Sequence, residues 1–200
     1  MQSKDKVYKI YDKIIDWFDA HRSKDLTMEK RYLDYIISKI PVNSQVLDIG
    51  CGTGEPIAKY FIAKNFQLTG IDASSKMIQL CKTRFPQAKW HCQDMRKLKL
   101  DTTFDLIIAW HSLFHLPQNE QKSTLSLLAS YLKKHSLLVF TTGYEEAEEW
   151  SNNGGYDLYQ ASLSIESYQK ILQENGLKIL MQKIRDPDCG NATVWIAQKS

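Results

Sequence analysis

The stretch VLDIGCGTG at positions 46–54 constrains this chain more than any other. An apolar run ends on an aspartate and breaks into three closely spaced glycines, the pattern of a buried strand running into a tight turn where a ligand meets bare backbone. Strand-like and helix-like segments alternate on from there. Strands are expected at 45–49, 66–71, 89–92, 104–109 and 137–141, with helices from about 56 to 64, 75 to 85 and 118 to 133. FDLIIAW and LLVF are apolar without interruption, as strands covered on both faces are, so a mostly parallel sheet with helices on both sides is predicted. After a helix at 165–174, stopped by Asn175-Gly176, only RDPDCGNA separates LKILMQKI from TVWIAQ. That gap fits a hairpin, and hence one antiparallel strand at the end of the sheet. The span 142–163 reads as the longest irregular stretch.

Two helices precede the first strand, because Val7, Ile10, Ile14, Ile15, Trp17 and Phe18 recur at helical spacing and Leu33, Ile36, Ile37 and Ile40 do so again before Pro41. At 200 residues one core is expected: a single domain 1–200, with 1–41 as a helical cap and 42–200 as the ligand-binding core. The charged N-terminus lacks the apolar stretch of a leader or membrane helix, which points to a cytoplasmic protein away from membranes. Cysteines 51, 81, 92 and 189 show no zinc-ligand spacing, so free thiols and no metal are expected. A net charge of +3, with basic residues scattered in twos and threes, argues against nucleic acid as a partner. A monomer or homodimer is expected.

The loop itself discriminates among ligands. A nucleoside-triphosphate loop needs GxxxxGK followed by Ser or Thr, and this loop has no lysine. A dinucleotide loop is spaced GxGxxG; here Glu55 takes the place of the third glycine and Asp48 precedes the first, so a pyrophosphate would meet two carboxylates. S-adenosylmethionine removes the conflict, since its ammonium and sulfonium suit Asp48 while loop amides and a helix N-terminus suit its carboxylate. Asp72 ends the second strand where a carboxylate can take both ribose hydroxyls, and Asp94 follows the third strand, placed for the adenine amino group.

With VLDIGCGTG, GIDAS, CQDM and FDLIIAWHSLFHL in this order, the chain from about Val46 to Phe140 resembles the class I S-adenosylmethionine-dependent methyltransferases. The resemblance implies a doubly wound, Rossmann-like α/β fold with a seven-stranded sheet whose seventh strand is antiparallel. It implies donor contacts at Asp48, Gly50, Cys51, Gly52, Thr53 and Gly54, at Asp72, Ala73 and Met77, at Asp94 and Met95, and at Trp110 beneath the donor. S-adenosylhomocysteine would be the product. A nicotinamide oxidoreductase, a donor-binding module without catalysis, and an RNA or protein methyltransferase remain as alternatives.

On the acceptor side, His111 and His115 are the candidate bases, i and i+4 after the fourth strand. Tyr8, Tyr11, Trp17, Phe114 and Tyr159 are candidate pocket walls for a small-molecule substrate, with Trp150 and Tyr156 also within reach. Arg31 either meets the donor carboxylate or sits on a solvated helix face, and Cys189 has no local partner for chemistry.

Overall fold

The computed structural model describes residues 4–200. Helices α1 (Tyr8–His21) and α2 (Lys30–Ile37) lead into β1 (Gln45–Ile49), α3 (Ile57–Ala63), β2 (Gln67–Asp72), α4 (Ser75–Arg84), β3 (Lys89–Cys92) and β4 (Phe104–Ala109). Then come α5 (Gln118–Ser130), β5 (Leu132–Thr142), β6 (Ala147–Asn153), β7 (Tyr156–Ser162), α6 (Ile165–Glu174), β8 (Leu177–Asp186) and β9 (Ala192–Lys199).

The seven-stranded sheet runs β3-β2-β1-β4-β5-β9-β8, and β9 runs against the direction of the other six. Side chains that alternate along each strand explain why both faces are covered. Val46, Leu106, Ile108, Val139 and Ile196 face one way, packed with α2, α3 and α4; Leu47, Ile107, Leu138, Phe140 and Trp195 face the other, packed with α5 and α6. Slipping β4 by one residue would exchange the two sets, so the register is tightly specified.

A third apolar cluster lies outside the sheet. Val7, Ile10 and Ile14 of α1 pack on Leu158, Tyr159 and Ala161 of β7. Polar contacts then pin α1 to α4: Asp12 accepts from the Ser74 hydroxyl at 2.6 Å, and both Asp19 oxygens take the Arg84 guanidinium at 2.6 Å. Ser74 also caps α4 by accepting from the Met77 amide.

Two expectations need correction. The span 142–163 is mostly a β-hairpin, with Ala147 opposite Ser162 and Asn153 opposite Tyr156. Its two-residue turn is Gly154-Gly155, both at positive φ, a hairpin signal in the sequence. AEEWSNN hides it, because a strand largely exposed on both sides has no apolar alternation. The fifth helix stops at Ser130, and β5 begins at Leu132 instead of 137, accommodated by a register shift between Phe104 and Leu106. Among the described residues no helix is long and apolar enough to cross a membrane.

Candidate active site

The strand order reverses between β1 and β4, and ligands of open α/β sheets settle beyond the strand ends at such a point. A cavity of about 300 Å³ lies there. Its floor comes from the turns after β1, β2, β3 and β4, and its roof from α1 and the hairpin. Gly50 is required by that convergence: a Cβ on it would sit 2.3 Å from Ser112 Cβ, while the Ser112 hydroxyl donates to the Ile49 carbonyl at 2.7 Å.

Most of the residues expected around the donor line this one cavity: Asp48, Gly50, Cys51, Gly52, Thr53, Asp72, Ala73, Met77, Asp94, Met95 and Trp110. Gly54 does not; it packs against Phe85 and Cys81. Tyr8, Tyr11, Phe114, His111 and His115 also line the cavity. Trp17 lies outside the lining, stacked on His21, and Tyr159 is wholly buried in the cluster beneath α1. Arg31 is drawn away to Asp186 and Asp188, and Cys189 is buried in the main core.

Most of the loop amides are bonded within the protein. Gly50 and Cys51 both donate to the Ile71 carbonyl, Gly52 donates to Asp72 Oδ2 at 3.0 Å, and Gly54 donates to the Cys51 carbonyl. These bonds hold β1's turn against β2's end. Thr53 is different: its amide makes no such bond among the described residues, and its hydroxyl is buried without a partner. The Trp110 indole N–H is buried and unpaired in the same way. Buried donors left unmade are costly, and two of them on one cavity mark where a ligand's acceptors belong.

The charges also sort differently. Glu55 is matched by Lys59, Arg84 and Lys24, so it repels little. Burial raises the Asp94 carboxyl, but the bonds and charge of Arg96 outweigh burial and leave it below the usual range. Arg96 grips both Asp94 oxygens and reaches Glu120 and the Asp5 carbonyl. Asp48 and Asp72 are the uncompensated pair. Burial, and then the Asp72 charge, push Asp48 up to about 7; burial foremost pushes Asp72 up to about 6.

His115 is fixed by its neighbours. Its Nδ1 lies 2.8 Å from the Tyr159 carbonyl, which can only accept, so Nδ1 carries the proton and Nε2 accepts from the Tyr11 hydroxyl at 2.9 Å. Burial lowers both His111 and His115 to about 4, so both are neutral at pH 7. Burial and the Asp72 charge raise the Tyr11 hydroxyl well above its ordinary value. Arg22, Phe18, Asn153 and Gln160 also line the cavity. Sequence spacing gave no signal for them, because α1 and the hairpin reach the site through packing.

Residues 46–135 match the methyltransferase-domain family. A malonyl-[acyl-carrier protein] O-methyltransferase of Bacillus cytotoxicus is 30% identical over 171 residues, covering 84% of this chain and 56% of that protein. A dTDP-3-amino-3,4,6-trideoxy-alpha-D-glucopyranose N,N-dimethyltransferase of Streptomyces venezuelae is 30% identical over 129 residues, covering 63% of this chain and 54% of that protein. The chain spans roughly half the length of the curated relatives it matches. Among solved structures, an S-adenosylmethionine-dependent methyltransferase from Clostridium acetobutylicum superposes with a TM-score of 0.73 at 16% identity, covering 98% of each chain. Fold, motif order and the match over residues 46–135 agree: this chain has the fold of the S-adenosylmethionine-dependent methyltransferases and is similar to the methyltransferase-domain family across that stretch.

Proposed function

We propose that this chain binds S-adenosylmethionine in the β1/β4 cavity and transfers its methyl group to a small-molecule acceptor, releasing S-adenosylhomocysteine. The observation that carries the reading is the pairing, within one cavity, of two unpaired buried donors on Thr53 and Trp110 with two strained carboxyls on Asp48 and Asp72. Donors suit a carboxylate; the carboxyls suit a cation. A polyphosphate would satisfy the first and worsen the second. The residues present therefore fit this cofactor. In this reading residues 42–200 form the donor-binding core and 1–41 the cap.

Bound there, the cofactor supplies a methyl group on a positively charged sulfur, which an acceptor lone pair displaces in line. The protein's part is alignment and charge. Thr53 and Arg22 would hold the carboxylate end, Asp48 the cationic end, and Asp72 a ribose hydroxyl through lone pairs not used by Gly52 and Ser74. Positioning of this kind supplies several kcal/mol. Tyr11 is placed to pass an acceptor's proton to His115 Nε2, with the Tyr159 carbonyl bracing the imidazole.

Calorimetry with S-adenosylhomocysteine, on wild type and Thr53→Val, tests the donor site. We expect Thr53→Val to lose about tenfold or more in affinity without loss of stability, because it removes a hydroxyl that is unpaired in the free protein. Radiolabelled donor incubated with fractionated metabolites tests the transfer. A chain that ignores the donor but retains a nicotinamide dinucleotide would overturn the reading.

A further inference from the structure

The hairpin half of the cavity is richer in acceptors than in donors. Asn153 and Gln160 line it, and both amide NH2 groups are turned onto Ser151: Asn153 Nδ2 donates to the Ser151 hydroxyl at 3.0 Å and its carbonyl at 3.3 Å, and Gln160 Nε2 donates to the same hydroxyl at 2.7 Å. The Ser151 carbonyl cannot donate, which fixes the Asn153 amide with its NH2 inward; the hydroxyl has lone pairs for both amides. Asn153 has only its oxygen left to offer, and Gln160 has its oxygen and one N–H, so acceptors outnumber donors on this side.

Beside the hairpin, which His115 joins through the Tyr159 carbonyl, runs a chain of rings. Centroids are 5.3 Å apart from Phe18 to Tyr11, 5.4 Å from Tyr11 to His115, 4.7 Å from His115 to Phe114 and 6.0 Å from Phe114 to His111. Both histidines are neutral at pH 7. The cation on this side, Arg22, faces Glu29 at 3.0 Å, itself only 1% exposed, and its remaining donors are taken by the cofactor carboxylate in the proposed complex. A negatively charged acceptor would thus face carboxylates and carbonyl oxygens with no unmatched cation to offset its desolvation.

We infer that the methyl acceptor is an uncharged, flat molecule that lies along the ring wall and donates a hydrogen bond to the side-chain oxygens of Asn153 and Gln160. Ser151 is the positioning residue that keeps those oxygens outward. The inference rests on the methyl-transfer reading and narrows its acceptor to a hydroxylated or aminated aromatic or heteroaromatic compound.

The test uses the full chain saturated with S-adenosylhomocysteine at pH 7, with ligand-observed NMR affinities for 4-methylphenol, 4-methylaniline, 4-methylanisole and 4-methylbenzoate. The phenol and aniline should bind about tenfold tighter than the anisole, which cannot donate, and the benzoate should not bind, the difference being that of one buried hydrogen bond. The double variant Asn153→Leu, Gln160→Leu should erase the preference for the phenol over the anisole. Ser151→Ala, whose hydroxyl is only partly buried, should weaken that preference without loss of donor binding. Benzoate binding as tightly as phenol, equal binding of phenol and anisole, or no binding of any probe would overturn the inference. Donor affinity, measured on the same samples, separates the failures. Failure of the wild type to bind S-adenosylhomocysteine sinks the methyl-transfer reading, whereas intact binding of it without discrimination among the probes sinks the acceptor class alone.

Discussion

Asp48 is 3% exposed and accepts no hydrogen bond from any described residue, yet it sits beside Asp72. Its folded pKa of about 7 lies above the ordinary carboxylate value, so the folded state binds the extra proton. The stability this gives is complete below about pH 4 and is lost as pH rises to about 7. Asp48→Asn should therefore stabilise the free protein by on the order of 1–2 kcal/mol at pH 8, and by progressively less toward pH 4. Thermal melts across that range check it, and a gain independent of pH would contradict it. The same variant should lose donor affinity, because the cationic end loses its counter-charge. Tyr11→Phe leaves His115 Nε2 buried without its partner; we expect a cost of about 1–2 kcal/mol in denaturant melts, with turnover falling more than donor affinity. Asp48, Asp72 and Asp94 were legible in the sequence because each lies at or just beyond the carboxyl end of a strand that chain order alone identifies. Arg22 and Gln160 were not, since nothing local says that α1 and the hairpin fold over the same turn.

At the scale of elements, α1 matters as a separate packing unit. Its apolar face rests on β7 while Asp12 and Asp19 hold α4. Ser74 is the joint between them, capping α4 and donating to Asp12. Ser74→Ala should cost about 1–2 kcal/mol and raise amide exchange in residues 8–21 more than in β1 or β4. Equal loosening throughout would show that the contact serves only the cap. The strands of the sheet were readable because continuous apolar runs leave no other assignment. The hairpin was missed for the converse reason: its polar outer strand carries no periodic signal, and only the Gly154-Gly155 pair betrayed it. The early start of β5 likewise follows from its pairing with β4, which a local window cannot see.

For the whole molecule, the two strained carboxyls couple donor binding to protons. A cationic ligand favours their ionised forms, so affinity should rise as pH increases through about 6 to 7 and level off above, with protons released on binding. Calorimetry in buffers of different ionisation enthalpy measures that release, and uptake in place of release would contradict the charge assignment. The unpaired indole of Trp110 has a practical corollary. Trp90 and Trp195 already donate to Phe85 and Thr142, Trp17 stacks on His21 away from the cavity, and Trp150 stands out in solvent, so the chromophore whose surroundings change most on filling the crevice is the one at its base. The protein carries its own optical gauge of occupancy, readable by intrinsic emission without label or substrate.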